Sequence, residues 1–95
     1  MILCAAIHFN HGEVWKYQPK NIQNGFVICG HRHHNCFSIL FGMFGESWME
    51  KKKFAIQGFL TSDNRFVSRE EAAKIAFENG QIKNEVELLF SEDLY

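Results

Sequence analysis

Proline is almost missing from this chain, with Pro19 the single instance in 95 residues, and cysteine occurs only at Cys4, Cys29 and Cys36. An odd number of cysteines at irregular spacing makes no disulfide framework, so reduced thiols in a cytosolic setting are expected. Neither sign of charge is in excess. Ten Lys and Arg against eleven Asp and Glu leave a formal net charge of −1, which gives no general pull toward duplex DNA or RNA. Long hydrophobic runs are missing too. Met1–Ile7 is apolar but lacks a basic flank and stops at His8, too short for a signal peptide or a membrane span. With no internal repeat, low-complexity tract or linker, residues 1–95 are expected to form one domain.

Catalytic motifs are equally scarce. There is no Gly-x-Ser-x-Gly, no His-Glu-x-x-His and no Walker loop. Glu92 and Asp93 are adjacent and would point apart on a strand, and a Cys29–His31 pair has no orienting partner. The residues call for neither an enzyme nor a cofactor.

What the chain does have is apolar and aromatic content. It is 46% hydrophobic with ten phenylalanines, which argues for a folded protein. Phe41, Phe44, Trp48, Phe54, Phe59, Phe66, Phe77, Phe90 and Tyr95 crowd the second half and suit either a core or a subunit interface.

The safest local prediction is a helix over Arg69–Asn79. Ser68 is placed as N-cap, Glu71 three residues on completes a capping box, Val67 and Ala72 suit a hydrophobic staple, and Gly80 suits the C′ position. Before it, Phe54–Ser62 and Arg65–Val67 read as strands joined by a two-residue turn at Asp63-Asn64. At the other end, Ile2–Phe9 reads as a buried strand, turning at Asn10-His11-Gly12 into a second strand, Val14–Tyr17, to make an N-terminal hairpin. Gln18–Asn24 reads as a loop and Phe26–Cys29 as a strand. From His31 the period becomes helical, with Cys36, Ile39, Leu40 and Met43 on one face and Gly45 as terminator. Lys51–Lys53 fits a solvated turn, Val86–Phe90 a last strand, and the Leu94-Tyr95 end a docked one. The expected fold is α+β: an antiparallel sheet with an N-terminal hairpin, packed by two helices.

Two polar clusters could carry chemistry. In Cys29-Gly30-His31-Arg32-His33-His34-Asn35-Cys36 the imidazoles and thiols suit zinc, yet the spacing fits no zinc-ribbon or zinc-finger pattern. The same segment, a glycine leading into a helix start with Arg32 and His33 or His34 beside it, suits phosphate. The ordinary alternative is a strand-to-helix connection with solvent-facing histidines. In Gln57–Phe66, Gly58 marks a close approach, Phe59 or Phe66 could stack a base, and Thr61, Ser62, Asn64 and Arg65 offer hydrogen bonds. Against that, both phenylalanines suit a core.

Gly30-His31-Arg32-His33-His34, Gln57–Ser62, Arg65-Phe66-Val67, Arg69–Ala72, Asn79–Ile82 and Leu89–Tyr95 together resemble the first type of Thoeris anti-defence protein of phages, over about two-thirds of the chain and most strongly after Gln57. The chain departs from that pattern at Asp63-Asn64, where a glycine is expected, and in the more apolar Asn35-Cys36-Phe37. The resemblance implies a sponge that sequesters glycocyclic ADP-ribose, and in some members cyclic di- or trinucleotides, without cleaving them. It implies a homo-oligomer built from dimers, up to a hexamer, working in the cytoplasm of an infected bacterium with no membrane or duplex nucleic acid as partner. Carried onto this chain, it implies that Arg32 and Arg65 hold phosphates, Phe59 or Phe66 stacks, Asn64 meets a hydroxyl or base edge, and His33 and Thr61 complete the ligand site, with no metal. Two other readings stay open: a small metal-dependent phosphodiesterase built on the His/Cys cluster, and a module that binds a host protein through its aromatic surface.

Overall fold

A computed structural model describes all 95 residues. Its centre is β1, Ile2–Phe9, flanked by β2 (Phe26–Gly30) on one side and β3 (Ala55–Thr61) on the other, with β4 (Phe66–Ser68) outside β3. Every pairing is antiparallel. Between β2 and β3 run α1 (His33–Phe44) and a short helical passage around α2 (Trp48–Lys51), and α3 (Arg69–Glu78) follows β4 directly. The chain is α+β, as its patterning predicts, and no helix is long and apolar enough to cross a membrane.

Strand alternation sends Ala5, Ile7 and Phe9 to one face of the sheet, where both long helices lie. Ala5 joins Ile2, Phe59, Val67, Leu89 and the α3 alanines in one apolar cluster, while Ile7 and Phe9 join Phe26 and the α1 residues Cys36 and Leu40 in another. The opposite face, with Ala6 and His8, is covered by the segment between β1 and β2. His8 Nε2 donates to the Asn24 carbonyl at 2.9 Å, so a buried imidazole is satisfied.

The N-terminal hairpin exists, but its second strand is β2. Val14–Tyr17 is not a strand: Trp15 lays its ring on Phe26 at 4.2 Å, while Val14 stays half exposed and Tyr17 is 100% exposed with φ 63°. Phe26, by contrast, stacks on Phe9 at 5.2 Å and takes the place beside β1. The connecting segment is a strap. Gln18 Oε1 accepts from Val27 N–H of β2 at 2.7 Å, while Asn21 accepts from Phe66 N–H at 2.8 Å and donates to Phe66 O at 2.7 Å. Gln81 treats Ile2 in the same way, with both bonds at 2.7 Å. Three amide side chains thus stand in for missing strands where backbone groups would be unpaired.

α3 carries its predicted ends. Glu71 N–H donates to Ser68 Oγ at 3.1 Å, although the Glu71 carboxylate turns to Arg65 instead of closing the box. Gly80, at φ 72°, completes a Schellman ending: Gly80 N–H donates to Phe77 O at 3.1 Å and Gln81 N–H to Ala76 O at 2.8 Å.

α1 is rotated from its predicted orientation. His33, Cys36 and Leu40 are buried, while Ile39 and Met43 are 47% and 44% exposed. A count of apolar residues alone passes over His33, whose imidazole lies on the inner face. The Asp63-Asn64 turn is also longer than predicted: the loop is Ser62–Asn64, with Asn64 N–H bonded to Thr61 O at 3.1 Å and Asn64 at φ 62°. This is the three-residue hairpin in which a turn is followed by a left-handed residue. Val86–Phe90 forms no strand. Leu89 is buried and bonds Arg69 O at 3.1 Å, so the segment docks on α3 while Asn21 occupies the outer edge of β4.

Candidate functional site

Register starts both long helices at the same level of the sheet, from its two edges. Gly30, just before α1, lies opposite Ala5, and Ser68, just before α3, lies opposite Gly58, itself opposite Ala6. The two helices therefore start at the same level of the sheet, α1 from the β2 edge and α3 from the β4 edge, and each presents unpaired N–H groups and the positive end of its dipole.

Arg32 is the N-cap of α1, with φ −128° and ψ 159°, and its N–H is taken by Asn35 Oδ1 at 2.9 Å. Its guanidinium lies against the C-terminal residue: Nη2 donates to Tyr95 O at 2.6 Å and Cζ sits 5.1 Å from the Tyr95 ring centre. Tyr95 in turn stacks on His31 at 4.3 Å and donates its hydroxyl to His31 O at 2.7 Å. Arg32 Nη1 is left buried without a partner.

Arg69 repeats the arrangement at the start of α3. Nη2 donates to Gln57 Oε1, Cζ lies 4.8 Å from the Phe90 ring centre, and Nε is buried without a partner. His33 follows Arg32 and feels the Arg69 charge: its Nε2 donates to Gly58 O at 2.7 Å and its ring meets Phe59 edge-on at 5.1 Å. Burial holds its pKa below the ordinary 6.5. The Gly58 carbonyl pulls upward, the Arg69 charge downward, and the Glu92 carboxylate upward.

A cleft of about 620 Å³ adjoins these helix starts, lined by Phe37, Phe41 and Trp48 with His34, Lys52 and Gln57 among its polar groups, and no carboxylate contributes to it. Gln57 joins the two regions, since it lines the cleft and accepts from Arg69. Aromatic faces, a lysine and buried guanidinium donors suit a planar anion of nucleotide size.

The structure separates the predicted ligand residues. Arg32 and His33 sit at the start of α1. Phe59 is 0% exposed and Thr61 2%, so both belong to the core and neither can touch a ligand from there. Thr61 Oγ1 donates to Asp63 and accepts Arg65 N–H at 3.1 Å. The Thr61 hydroxyl, then Arg65, hold the Asp63 carboxyl down to about 2. Arg65 is held by Asp63 at 2.9 Å and Glu71 at 3.5 Å, and Asn64 serves the turn. Phe66 lies on the opposite face, edge-on to His8 at 5.5 Å. The close approach at Gly58 is internal: a Cβ there would stand 2.2 Å from Val67 O and 2.6 Å from Phe66 Cζ.

The sequence reading missed Arg69, Gln57, Lys52, Phe41 and Trp48 as site residues. A signal for two of them was present, because the hairpin that pairs Gly58 with Ser68 sets Gln57 beside Arg69. The His/Cys cluster disperses. His31 faces Tyr95, His33 faces Gly58, His34 lines the cleft, and Cys36 is buried with its thiol pushed up to about 11 by burial. No three His, Cys, Asp or Glu side chains are grouped to hold a metal ion. Cys4 and Cys29 meet each other on neighbouring strands: the Cys29 hydrogen bond holds the Cys4 thiol down to about 7 and its own pKa is pushed up.

Fold and site together define a small α+β protein with a buried guanidinium donor at each of two helix starts. The chain matches the family described as phage T4 y16D protein over residues 1–95 and belongs to that family; it is a phage protein. No curated protein and no solved structure matches it.

Proposed function

We propose that this phage protein sequesters an anionic signalling nucleotide of bacterial immunity, glycocyclic ADP-ribose or a cyclic di- or trinucleotide, and releases it unchanged. It acts in the cytoplasm of the infected host, as an oligomer, by lowering the free concentration of the signal. The observation that carries this reading is that the guanidinium donors Arg32 Nη1 and Arg69 Nε, one at the start of each long helix, are buried without a partner. A buried donor left unpaired costs about 1–3 kcal/mol, and a turn of either long side chain that brings the donor out to a bound phosphate removes that cost. The aromatic cleft beside them offers stacking for a base. The resemblance of Gly30–His34 and of Gln57–Ser62 to the anti-defence sponges supports the same ligand class.

The test mixes the protein with glycocyclic ADP-ribose and with a panel of cyclic di- and trinucleotides, and follows free ligand by chromatography before and after heat denaturation. Disappearance followed by return of the unchanged molecule is expected. A new product peak means an enzyme, and ligand that stays free throughout overturns the proposal. Arg69→Ala is expected to weaken binding by about tenfold or more, the loss of one charge-assisted hydrogen bond. Arg65→Ala, whose guanidinium is already held by two carboxylates, is expected to bind like the unaltered protein.

A further inference from the structure

The largest concavity of the molecule lies away from this site. It is a groove of about 650 Å³ between the outer side of α3 and the irregular segment that follows it. Ala73, Phe77, Val86 and Leu88 supply its apolar lining. Four glutamates, Glu70, Glu78, Glu85 and Glu87, border it against one lysine, Lys74. None of the four glutamates has an ion-pair partner in the chain, where every salt bridge involves Asp63 or Glu71. The backbone beside the groove is open as well: no N–H or C=O from Ile82 to Leu88 makes a hydrogen bond within the protein.

The complement is on the same chain, at the opposite end. Met49 is 70% exposed on α2, and Lys51, Lys52 and Lys53 follow it with no carboxylate paired to any of them. This basic turn is tied to the C-terminal end of β1, where Asn10 N–H donates to Phe54 O at 2.9 Å. The groove is tied to the N-terminal end, where Gln81 grips Ile2. In a molecule 41 Å long the two surfaces sit at opposite ends of the central strand and cannot meet within one chain.

We propose that the Met49–Lys53 turn of one copy docks in the α3 groove of a second copy, head to tail. Methionine enters the apolar floor and the lysines face the glutamate rim, so opposite charges fix the orientation and like charges oppose the reverse one. A contact of this kind joins two different surfaces, so it grows into a ring or a filament instead of stopping at a symmetric pair. It does not rest on the nucleotide reading.

The test uses two variants of the full chain, Lys51→Glu with Lys53→Glu, and Glu78→Lys with Glu85→Lys and Glu87→Lys. Lys52 is left in place because it lines the nucleotide cleft. Sedimentation velocity is run over a concentration series at low and high salt. The unaltered protein is expected to associate, and more weakly at high salt. Each variant alone is expected to lose association by about tenfold or more. Mixed together, the two variants regain complementary surfaces, the unaltered turn with the unaltered groove and the two charge-reversed surfaces with each other, and are expected to associate again. A monomeric unaltered protein, a variant that associates as before, or a mixture that fails to pair overturns the proposal. Carbodiimide cross-linking of isotope-labelled with unlabelled protein checks it without substitutions. Links from Lys51 or Lys53 to Glu85 or Glu87 are expected between copies, and their absence overturns it.

Discussion

Single side chains in this protein do the work that whole strands do elsewhere, and their removal has calculable consequences. Gln81 satisfies both the N–H and the C=O of Ile2, at 2.7 Å each. Gln81→Ala leaves two part-buried backbone groups unpaired, and a loss of about 1–3 kcal/mol is expected in urea denaturation. His33 sets a pH dependence. Its folded pKa lies below the unfolded 6.5, so the unfolded chain takes up the proton first. The contribution is present above 6.5 and is lost as pH falls from there through the folded pKa. Unfolding midpoints are expected to drop over that window, and His33→Gln to flatten the drop. Asp63 acts lower, its contribution present above 3.8 and lost as pH falls toward about 2. Among the thiols, alkylation near neutral pH is expected to modify Cys4 first, held down to about 7, and Cys36 last, buried and pushed up to about 11. Peptide mapping of the alkylated protein reads that order directly.

At the scale of elements, local sequence is strongest where the chain bonds to itself within a few residues. Ser68, the αL glycine Gly80 and the bonds between them bound α3 without help from elsewhere. Ser68→Ala is expected to cost about 1 kcal/mol, measured as a shift in denaturation midpoint. The β3–β4 hairpin is tighter than its turn residues suggest, because Gly58 lets the Phe66 ring and the β4 backbone close in. Gly58→Ala places a Cβ inside that contact, and a destabilisation of about 1–3 kcal/mol is expected by thermal unfolding. The passage from Gly45 to Phe54, in which Lys51–Lys53 was expected as a solvated turn, is a run of short helices. It is ordered by Trp48, which stacks with Phe44 at 6.4 Å and meets Phe37 edge-on at 6.0 Å.

For the whole molecule the aromatic surplus has a partial outlet in the core. Only 21 of 95 residues are buried, and Phe41, Met49, Phe77 and Phe90 remain substantially exposed, more apolar surface than a chain of this size easily leaves in water. If copies cover these surfaces, the native state is stabilised by mass action. The unfolding midpoint is therefore expected to rise with protein concentration, and a midpoint independent of concentration tells against assembly.

The sequence by itself determined the elements whose signals are local: the α+β class, the strand at Ile2–Phe9, the capped α3 and the β3–β4 hairpin all follow from alternation, capping and turn chemistry. It also marked Arg32 as the residue at a helix start. Tertiary structure alone decided what depends on contacts between distant residues. It chose Phe26 over Val14 as the neighbour of β1, because Phe26 stacks on Phe9 while Val14 and Tyr17 stay exposed and Trp15 packs on Phe26 instead of on β1. It placed Phe59 and Thr61 in the core and closed Arg65 into a carboxylate clasp, which removed them from the site. It also set Arg32 and Arg69, residues 37 positions apart, at one level of the sheet, which depends on the register of four strands. Backbone patterning reports which residues share a face. Which faces then meet depends on burial and hydrogen-bond satisfaction summed over the whole chain, and no local window contains that sum.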